Sequence, residues 1–144
     1  MLIRENIGVV MKIGFVGLGK MGFNMVQRLI KFGHEIVIYD RNEKVIEELA
    51  MLGAIPSNSL ADLVENLPDK KIVWLMVPSG KPVEDSIDLL KDLLSTNDII
   101  IDGGNSYWRD TVKRGQELEK YGINYIDCGT SGGVWGLQNG YSLM

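Results

Sequence analysis

The stretch Gly17-Leu18-Gly19-Lys20-Met21-Gly22 decides the fold of this 144-residue chain. Residues 13–16 before it form a short apolar run that predicts a strand. After it, apolar residues recur at helical spacing at Met21, Met25 and Leu29. The pattern G-x-G-x-x-G arises often by chance, and alone it describes no more than a flexible turn. Between a strand and a helix it is typical of a dinucleotide-binding turn.

Each glycine has a separate physical role in such a turn. Gly17 permits the sharp turn off the strand, where a Cβ atom would clash. Gly19 lets the backbone approach a pyrophosphate, whose charge falls on the helix N-terminus. Gly22 brings the helix close to the sheet. The next predicted strand, Glu35–Tyr39, is followed by Asp40, roughly 20 positions on, where an acidic residue accepts hydrogen bonds from the adenosine ribose.

Length and composition describe one ordinary globular domain, with 45% hydrophobic and 24% charged residues. The net charge of −4 argues against a nucleic-acid or membrane partner. No apolar run approaches the roughly 20 residues of a membrane span. The single cysteine, Cys128, cannot form an internal disulfide, which is compatible with the cytoplasm. No metal site is predicted.

Strands and helices alternate from Lys12 onward, which predicts an α/β fold with a Rossmann-type, doubly wound parallel sheet in a single domain, residues 12–144. Residues 1–11 are predicted to be an N-terminal extension, loosely attached, because Met11-Lys12 resembles a natural start. The later strands are predicted at Ile55–Pro56, 72–77, 99–101 and 123–128. The helices are predicted at Lys20–Lys31, around Val45, Leu49 and Leu52, from Ser59, from near Pro82, and over 107–121.

Four loops with unusual residues follow predicted strands: the glycine turn, Val77-Pro78-Ser79, Asp102-Gly103-Gly104-Asn105-Ser106, and Thr130-Ser131-Gly132-Gly133. Because the carboxyl ends of parallel strands share one edge of the sheet, the four loops should meet there. Asn105 and Ser131 suit the orientation of a hydroxylated substrate, and the N–H groups at 131–133 suit an anion. Any one loop is more simply a turn, but four at one edge favour a ligand site.

Three of these motifs together resemble the 6-phosphogluconate dehydrogenase family: the glycine turn, Asp102-Gly103-Gly104-Asn105-Ser106, and Ser131-Gly132-Gly133. The second motif discriminates best, since the glycine turn fits any Rossmann enzyme. Gly140-Tyr141-Ser142-Leu143-Met144 is similar to the segment that follows the Ser-Gly-Gly loop in that family. Val134-Trp135-Gly136 differs from the acidic pair of the long NADP-linked enzymes and resembles the short, NAD-linked branch.

The resemblance implies oxidation of 6-phosphogluconate at C3 and decarboxylation to ribulose 5-phosphate, by a cytoplasmic homo-oligomer of the pentose phosphate pathway. NAD is the expected cofactor, ahead of NADP. Matching positions give the cofactor-binding residues as Gly17, Leu18, Gly19, Lys20, Met21, Gly22, Asp40, Arg41, Val77, Pro78, Ser79 and Asn105. They give the substrate-binding residues as Asn105, Ser131, Gly132 and Gly133. Pro78 stands where the long enzymes often carry a basic residue.

The resemblance also implies that the general base, a lysine, and the general acid, a glutamate, lie downstream of Ser142-Leu143-Met144 in a helical second domain. No catalytic residue is therefore predicted within this chain, which we expect to be truncated and inactive in oxidative decarboxylation. Two alternatives stay open. One is another β-hydroxyacid dehydrogenase, against which Asp102-Gly103-Gly104-Asn105 argues. The other is a module that senses NAD without catalysis, which the intact substrate loops oppose.

Overall fold

The computed structural model describes residues 8–144, and its main sheet has six strands. They are β1 (Lys12–Val16), β2 (Glu35–Tyr39), β3 (Ile55–Pro56), β4 (Ile72–Leu75), β5 (Ile99–Asp102) and β6 (Asn124–Asp127). All neighbouring pairs are parallel, in the order β3-β2-β1-β4-β5-β6. The strand order reverses between β1 and β4, so the predicted doubly wound parallel sheet is confirmed.

In the described part of the chain, six α-helices accompany the sheet: α1 (Lys20–Lys31), α2 (Glu43–Met51), α3 (Leu60–Glu65), α4 (Lys81–Leu93), α5 (Trp108–Glu119) and α6 (Gly136–Asn139). Two of these helices, α2 and α3, have an N-cap residue whose side chain accepts a backbone N–H of the first turn. The Asn42 side chain accepts the N–H of Lys44 at 3.1 Å, and Ser59 Oγ accepts the N–H of Asp62 at 3.0 Å. Such caps satisfy N–H groups that have no partner within the helix.

Apolar side chains fill both faces of the sheet, as a parallel sheet covered by helices requires. On one face, Phe15 and Trp74 pack with Val26 of α1, and their rings lie parallel with centroids 6.2 Å apart. On the other face, Leu75 packs in a cluster with Leu90 of α4. These alternating directions follow from the two-residue period of a strand. The sheet is thereby held rigidly between two helical layers.

Three features of the fold differ most from the sequence-based expectations. The fourth strand ends at Leu75 rather than at residue 77, because the partners of Leu75, Val16 and Asp102, are the last residues of the two neighbouring strands, β1 and β5. Leu52, expected on the inner face of α2, is 51% exposed because the helix ends at Met51. Beyond β6 the chain forms a short antiparallel pair, β7 (Thr130–Ser131) and β8 (Ser142–Leu143), where only a loop was predicted.

The predicted extension, residues 1–11, falls partly outside the described range, since residues 1–7 are not described. Residues 8–10 have no regular structure, and Val9 is 83% exposed. Met11 is attached to the sheet: its N–H donates to His34 Nδ1 at 3.2 Å and its carbonyl accepts the N–H of Glu35 at 2.9 Å. Among residues 8–144, no helix combines the length and apolar character that crossing a bilayer demands.

Candidate functional site

A cavity of about 1020 Å³ opens at the edge of the sheet where β1, β2, β4 and β5 end. This volume lies at the upper end of the range that is usual for ligand pockets. The cavity spans the place where the strand order reverses, which is where open α/β sheets bind their ligands. Its walls are the glycine turn, the end of β2, the start of α3, one side of α4, and the loops that follow β4 and β5.

The three glycines of the turn differ in their surroundings. Gly17 has φ +94°, and a Cβ there would overlap the carbonyl of Met76. A Cβ at Gly22 would overlap the carbonyl oxygen of Gly17, so the first turn of α1 lies backbone against backbone on the turn that leaves β1. A Cβ at Gly19 would meet no atom within 4 Å. Two glycines therefore permit close packing, and Gly19 leaves open space beside the cavity at the start of α1.

The carboxylate of Asp40 joins the end of β2 to the glycine turn. Its Oδ2 accepts the N–H of Leu18 at 2.7 Å, and its Oδ1 accepts the N–H of Asn42 at 2.8 Å. A carboxylate has about four acceptor positions, so each oxygen keeps capacity for a further donor from a ligand. Arg41, the next residue, is exposed and also lines the cavity.

The residues predicted to bind the cofactor are brought together at this cavity, with two exceptions. Leu18 turns its side chain into the core, where it is 3% exposed, and offers the site only its backbone. Ser79 is exposed and does not line the cavity. The others line it: Gly17, Gly19, Lys20, Met21, Gly22, Asp40, Arg41, Val77, Pro78 and Asn105.

The residues predicted to bind substrate lie beside the cavity rather than in one wall of it. Asn105 lines the cavity, but its side-chain amide both donates a hydrogen bond to the backbone of Thr130 and accepts one from it. Its Oδ1 accepts the Thr130 N–H at 3.3 Å, and its Nδ2 donates to the Thr130 carbonyl at 3.5 Å. The adjoining Ser131, Gly132 and Gly133 do not line the cavity. Asn105 thus connects the cavity to the Ser-Gly-Gly loop.

Sequence reasoning missed the wall that α4 contributes, because it considered only residues that follow strands. Pro82, Asp85, Ser86 and Leu89 line the cavity from this helix. The signal was available, since residues four apart share one face of a helix. Asp85 accepts a hydrogen bond from Lys81 Nζ at 2.6 Å, and this contact raises the pKa of the fully exposed Lys81 ammonium. The described residues contain no cluster of His, Cys, Asp and Glu arranged to hold a metal ion.

Comparison with known proteins identifies relatives of this chain. The family model described as the NAD binding domain of 6-phosphogluconate dehydrogenase matches residues 12–144. The NAD(+)-dependent, decarboxylating 6-phosphogluconate dehydrogenase of Haloferax volcanii is 43% identical over 134 residues, covering 93% of this chain and 44% of that protein. The Bacillus subtilis enzyme of the same name is 39% identical over 136 residues, covering 92% and 29%. The chain therefore spans less than half the length of these curated relatives.

Two solved structures share the fold closely. Plasmodium falciparum 6-phosphogluconate dehydrogenase has a TM-score of 0.84 at 27% identity, covering 92% of this chain and 30% of that one. Mycobacterium tuberculosis 3-hydroxyisobutyrate dehydrogenase has a TM-score of 0.81 at 26% identity, covering 89% and 43%. The domain is thus common to dehydrogenases whose named substrates differ.

The different surroundings of Gly22 and Gly19 predict losses of stability of different size for the same substitution. Gly22→Ala should lower the free energy of unfolding by about 1–3 kcal/mol, because its methyl group overlaps a backbone carbonyl that cannot move freely. Gly19→Ala should change it by less than about 1 kcal/mol, since the methyl group enters open space at a helix N-cap. Urea denaturation of both variants checks this. Equal free energies of unfolding for the two variants would contradict the close contact between α1 and the turn that leaves β1.

Proposed function

The chain belongs to the family of NAD-binding domains of 6-phosphogluconate dehydrogenase, and we propose that it binds NAD along the cavity at the sheet edge. The observation that carries this proposal is the open space at Gly19, at the start of the 12-residue helix α1. The first turn of α1 contains no acidic residue. A long helix presents N–H groups and positive potential at this end, which suits a pyrophosphate.

The two halves of NAD are then assigned to opposite sides of β1. The adenosine half lies toward β2, where Asp40 accepts hydrogen bonds from its ribose and Arg41 stands at the rim. The nicotinamide half lies across the reversal point, toward the ends of β4 and β5. There Val77, Pro78 and Asn105 form the wall. In this arrangement Leu18 contributes by fixing Asp40 through its N–H.

The finer assignment is that the domain serves the oxidation and decarboxylation of 6-phosphogluconate. Support comes from Asp102-Gly103-Gly104-Asn105-Ser106 and Ser131-Gly132-Gly133 together, and from the 43% identity with a protein of that name. When bound, NAD accepts the hydride that leaves the oxidised carbon. Asn105 and the Ser-Gly-Gly loop would orient the sugar-acid phosphate by hydrogen bonds. The parent enzyme is proposed to be a cytoplasmic homo-oligomer.

A dehydrogenase of a smaller β-hydroxy acid is the second candidate. The observation in its favour is the fold likeness to 3-hydroxyisobutyrate dehydrogenase, whose TM-score is nearly that of the 6-phosphogluconate enzyme. In both candidates the Ser-Gly-Gly loop receives an acid, so the loop alone does not decide between them.

NAD binding should depend on the open space at Gly19. We expect Gly19→Val to weaken NAD by at least about tenfold, or roughly 1.4 kcal/mol, because the new side chain occupies the pyrophosphate path. Isothermal titration calorimetry measures this directly. Gly8→Val is the matched control, since a Cβ at Gly8 also meets no atom within 4 Å but lies outside the cavity. An unchanged NAD affinity in Gly19→Val would refute the proposed position of the pyrophosphate.

The preference for NAD over NADP should depend on the negative charge of Asp40. A carboxylate about 4 Å from a doubly charged 2′-phosphate is repelled by about 8 kcal/mol at an effective dielectric constant of about 20, and the exposed Arg41 offsets only part of this. We expect NAD to bind at least about tenfold more tightly than NADP. Asp40→Asn should narrow this ratio, while the exposed Asp69→Asn should not. The ratio of the NAD affinity to the NADP affinity is the quantity to measure. Asp40→Asn also removes an acceptor for the N–H of Leu18 or Asn42, and this loss should weaken the binding of both cofactors equally.

Substrate class can be tested on the same polypeptide loaded with NAD. In ¹H–¹⁵N NMR titrations, 6-phosphogluconate should shift the amide signals of Ser131, Gly132 and Gly133, since its carboxylate and hydroxyl groups match those donors. The smaller 3-hydroxyisobutyrate should shift them less at equal concentration. The reverse order would favour the second candidate. The amide of Gly33, at the far end of α1, serves as the internal control.

A further inference from the structure

A buried ion pair lies directly behind the cavity. Asp102, the last residue of β5, is 0% exposed, and Arg114 of α5 is 5% exposed. Arg114 Nη1 lies 3.9 Å from Asp102 Oδ2. Neither residue is among those predicted to bind cofactor or substrate, although Asp102 begins one of the four predicted loops, and neither lines the cavity. Buried charges are costly unless they are paired and hydrogen-bonded. Among the described residues, the hydrogen bonds of Arg114 are made by Nη2, and Nη1 faces the Asp102 carboxylate without a hydrogen bond.

The Asp102 carboxylate organises the loop that follows it. It accepts the N–H of Gly104 at 2.9 Å, the hydroxyl of Tyr125 at 2.9 Å and the hydroxyl of Ser106. Burial, and then the charge of Asp102, raise the pKa of Tyr125, so its hydroxyl stays protonated and remains a donor. Three donors converge on one buried carboxylate. The path of the chain between Gly103 and Ser106 is therefore fixed from inside the protein.

Arg114 extends this network to the loop that follows β4. Its Nη2 donates to the Gly80 carbonyl at 3.3 Å and to Glu84 Oε1 at 3.2 Å. Gly80 has φ +91° and closes the turn that contains Val77 and Pro78. The guanidinium thus holds the turn after β4 while its other side faces the carboxylate that holds the turn after β5.

The two turns also touch each other. A Cβ built at Gly104 would lie 2.5 Å from the carbonyl oxygen of Val77, so the backbones meet with no room for a side chain. Both turns line the cavity, through Val77 and Pro78 on one side and Gly104 and Asn105 on the other. A small displacement of either turn changes the shape of this wall. The adenosine side, at Asp40 and Arg41, has no part in the network.

We propose that Asp102 and Arg114 are positioning residues that hold the two turns together and so set the affinity for the nicotinamide half of NAD. This inference rests on the proposed function. It assigns the pair no contact with the ligand. Asp102 and Arg114 influence the affinity by fixing the positions of Asn105, Gly104 and Val77. This influence is confined to the nicotinamide half of the cofactor. ADP, which lacks the nicotinamide riboside, should be insensitive to the pair.

The test compares NAD with ADP in a variant that has no unpaired buried charge. In Asp102→Asn/Arg114→Met, the asparagine keeps an acceptor for the loop and the methionine fills the space, but the tie to Gly80 is lost. Calorimetry should show NAD weakened by about tenfold or more and ADP changed by less than about twofold. If this variant does not fold, Tyr125→Phe decides the question, with NAD weakened by about threefold and ADP unchanged.

Lys91→Met is the matched control. Lys91 of α4 also joins its helix to α5, because its Nζ donates to Glu117 Oε1 at 3.0 Å, and it donates to Asp88 Oδ1 of its own helix at 2.7 Å. Both carboxylates are exposed. Lys91→Met should leave both affinities unchanged. Equal losses for NAD and ADP in the double variant, or no loss for either, would overturn the positioning role while leaving NAD binding established. Failure of the unaltered protein to bind NAD would instead refute the proposed function, and with it this inference.

Discussion

The contact on which the site depends is the approach of two backbones, where α1 lies against the turn that leaves β1. Gly22 has no room for a Cβ because the carbonyl oxygen of Gly17 occupies that space. This contact places the N-terminus of α1 at the sheet edge. The same turn directs the N–H of Leu18 to Asp40, so one constraint positions both the proposed pyrophosphate site and the proposed ribose acceptor. The contact between these two backbones therefore positions the proposed cofactor site.

Two carboxylates, at the ends of β2 and β5, have contrasting roles because they are buried to different degrees. Asp40 lines the cavity and accepts two backbone N–H groups, which leaves acceptor capacity for a ligand. Asp102 is fully buried, and its donors and Arg114 all come from the protein. The first can act on a ligand by charge, which is why it bears on the choice between NAD and NADP. The second accepts one backbone N–H and two side-chain hydroxyls, so it acts within the protein by holding the turn after β5.

The sequence predicted those parts of the fold whose signals are local. Helix Lys20–Lys31 and strand Glu35–Tyr39 have the expected bounds, because a glycine pattern, an apolar period and a turn at Gly33 mark them. The two-residue strands β7 and β8 carry no period to detect, and they pair Thr130 with Leu143 across the intervening residues. No local signal in the sequence indicates the burial of Arg114 either. Its partners Asp102 and Gly80 belong to other elements, and α5 reads as a polar helix.

The same reasoning explains why the Ser-Gly-Gly loop escaped a structural prediction although its motif was recognised. One end of the loop is held by the amide of Asn105 on Thr130. Beyond the other end, Arg28 of α1 donates to the carbonyls of Leu137 and Gln138 at 3.2 Å. The ring of Tyr141 fills the space that a Cβ at Gly132 would need.

These anchors come from three separate parts of the chain, and none can be inferred from the loop itself. Their consequence is energetic. A loop held at both ends has little conformational freedom left to lose when a ligand binds, so less of the binding free energy is spent on ordering it. The helix that begins at the cofactor site thus also supports the loop proposed for the substrate, through the opposite part of its length.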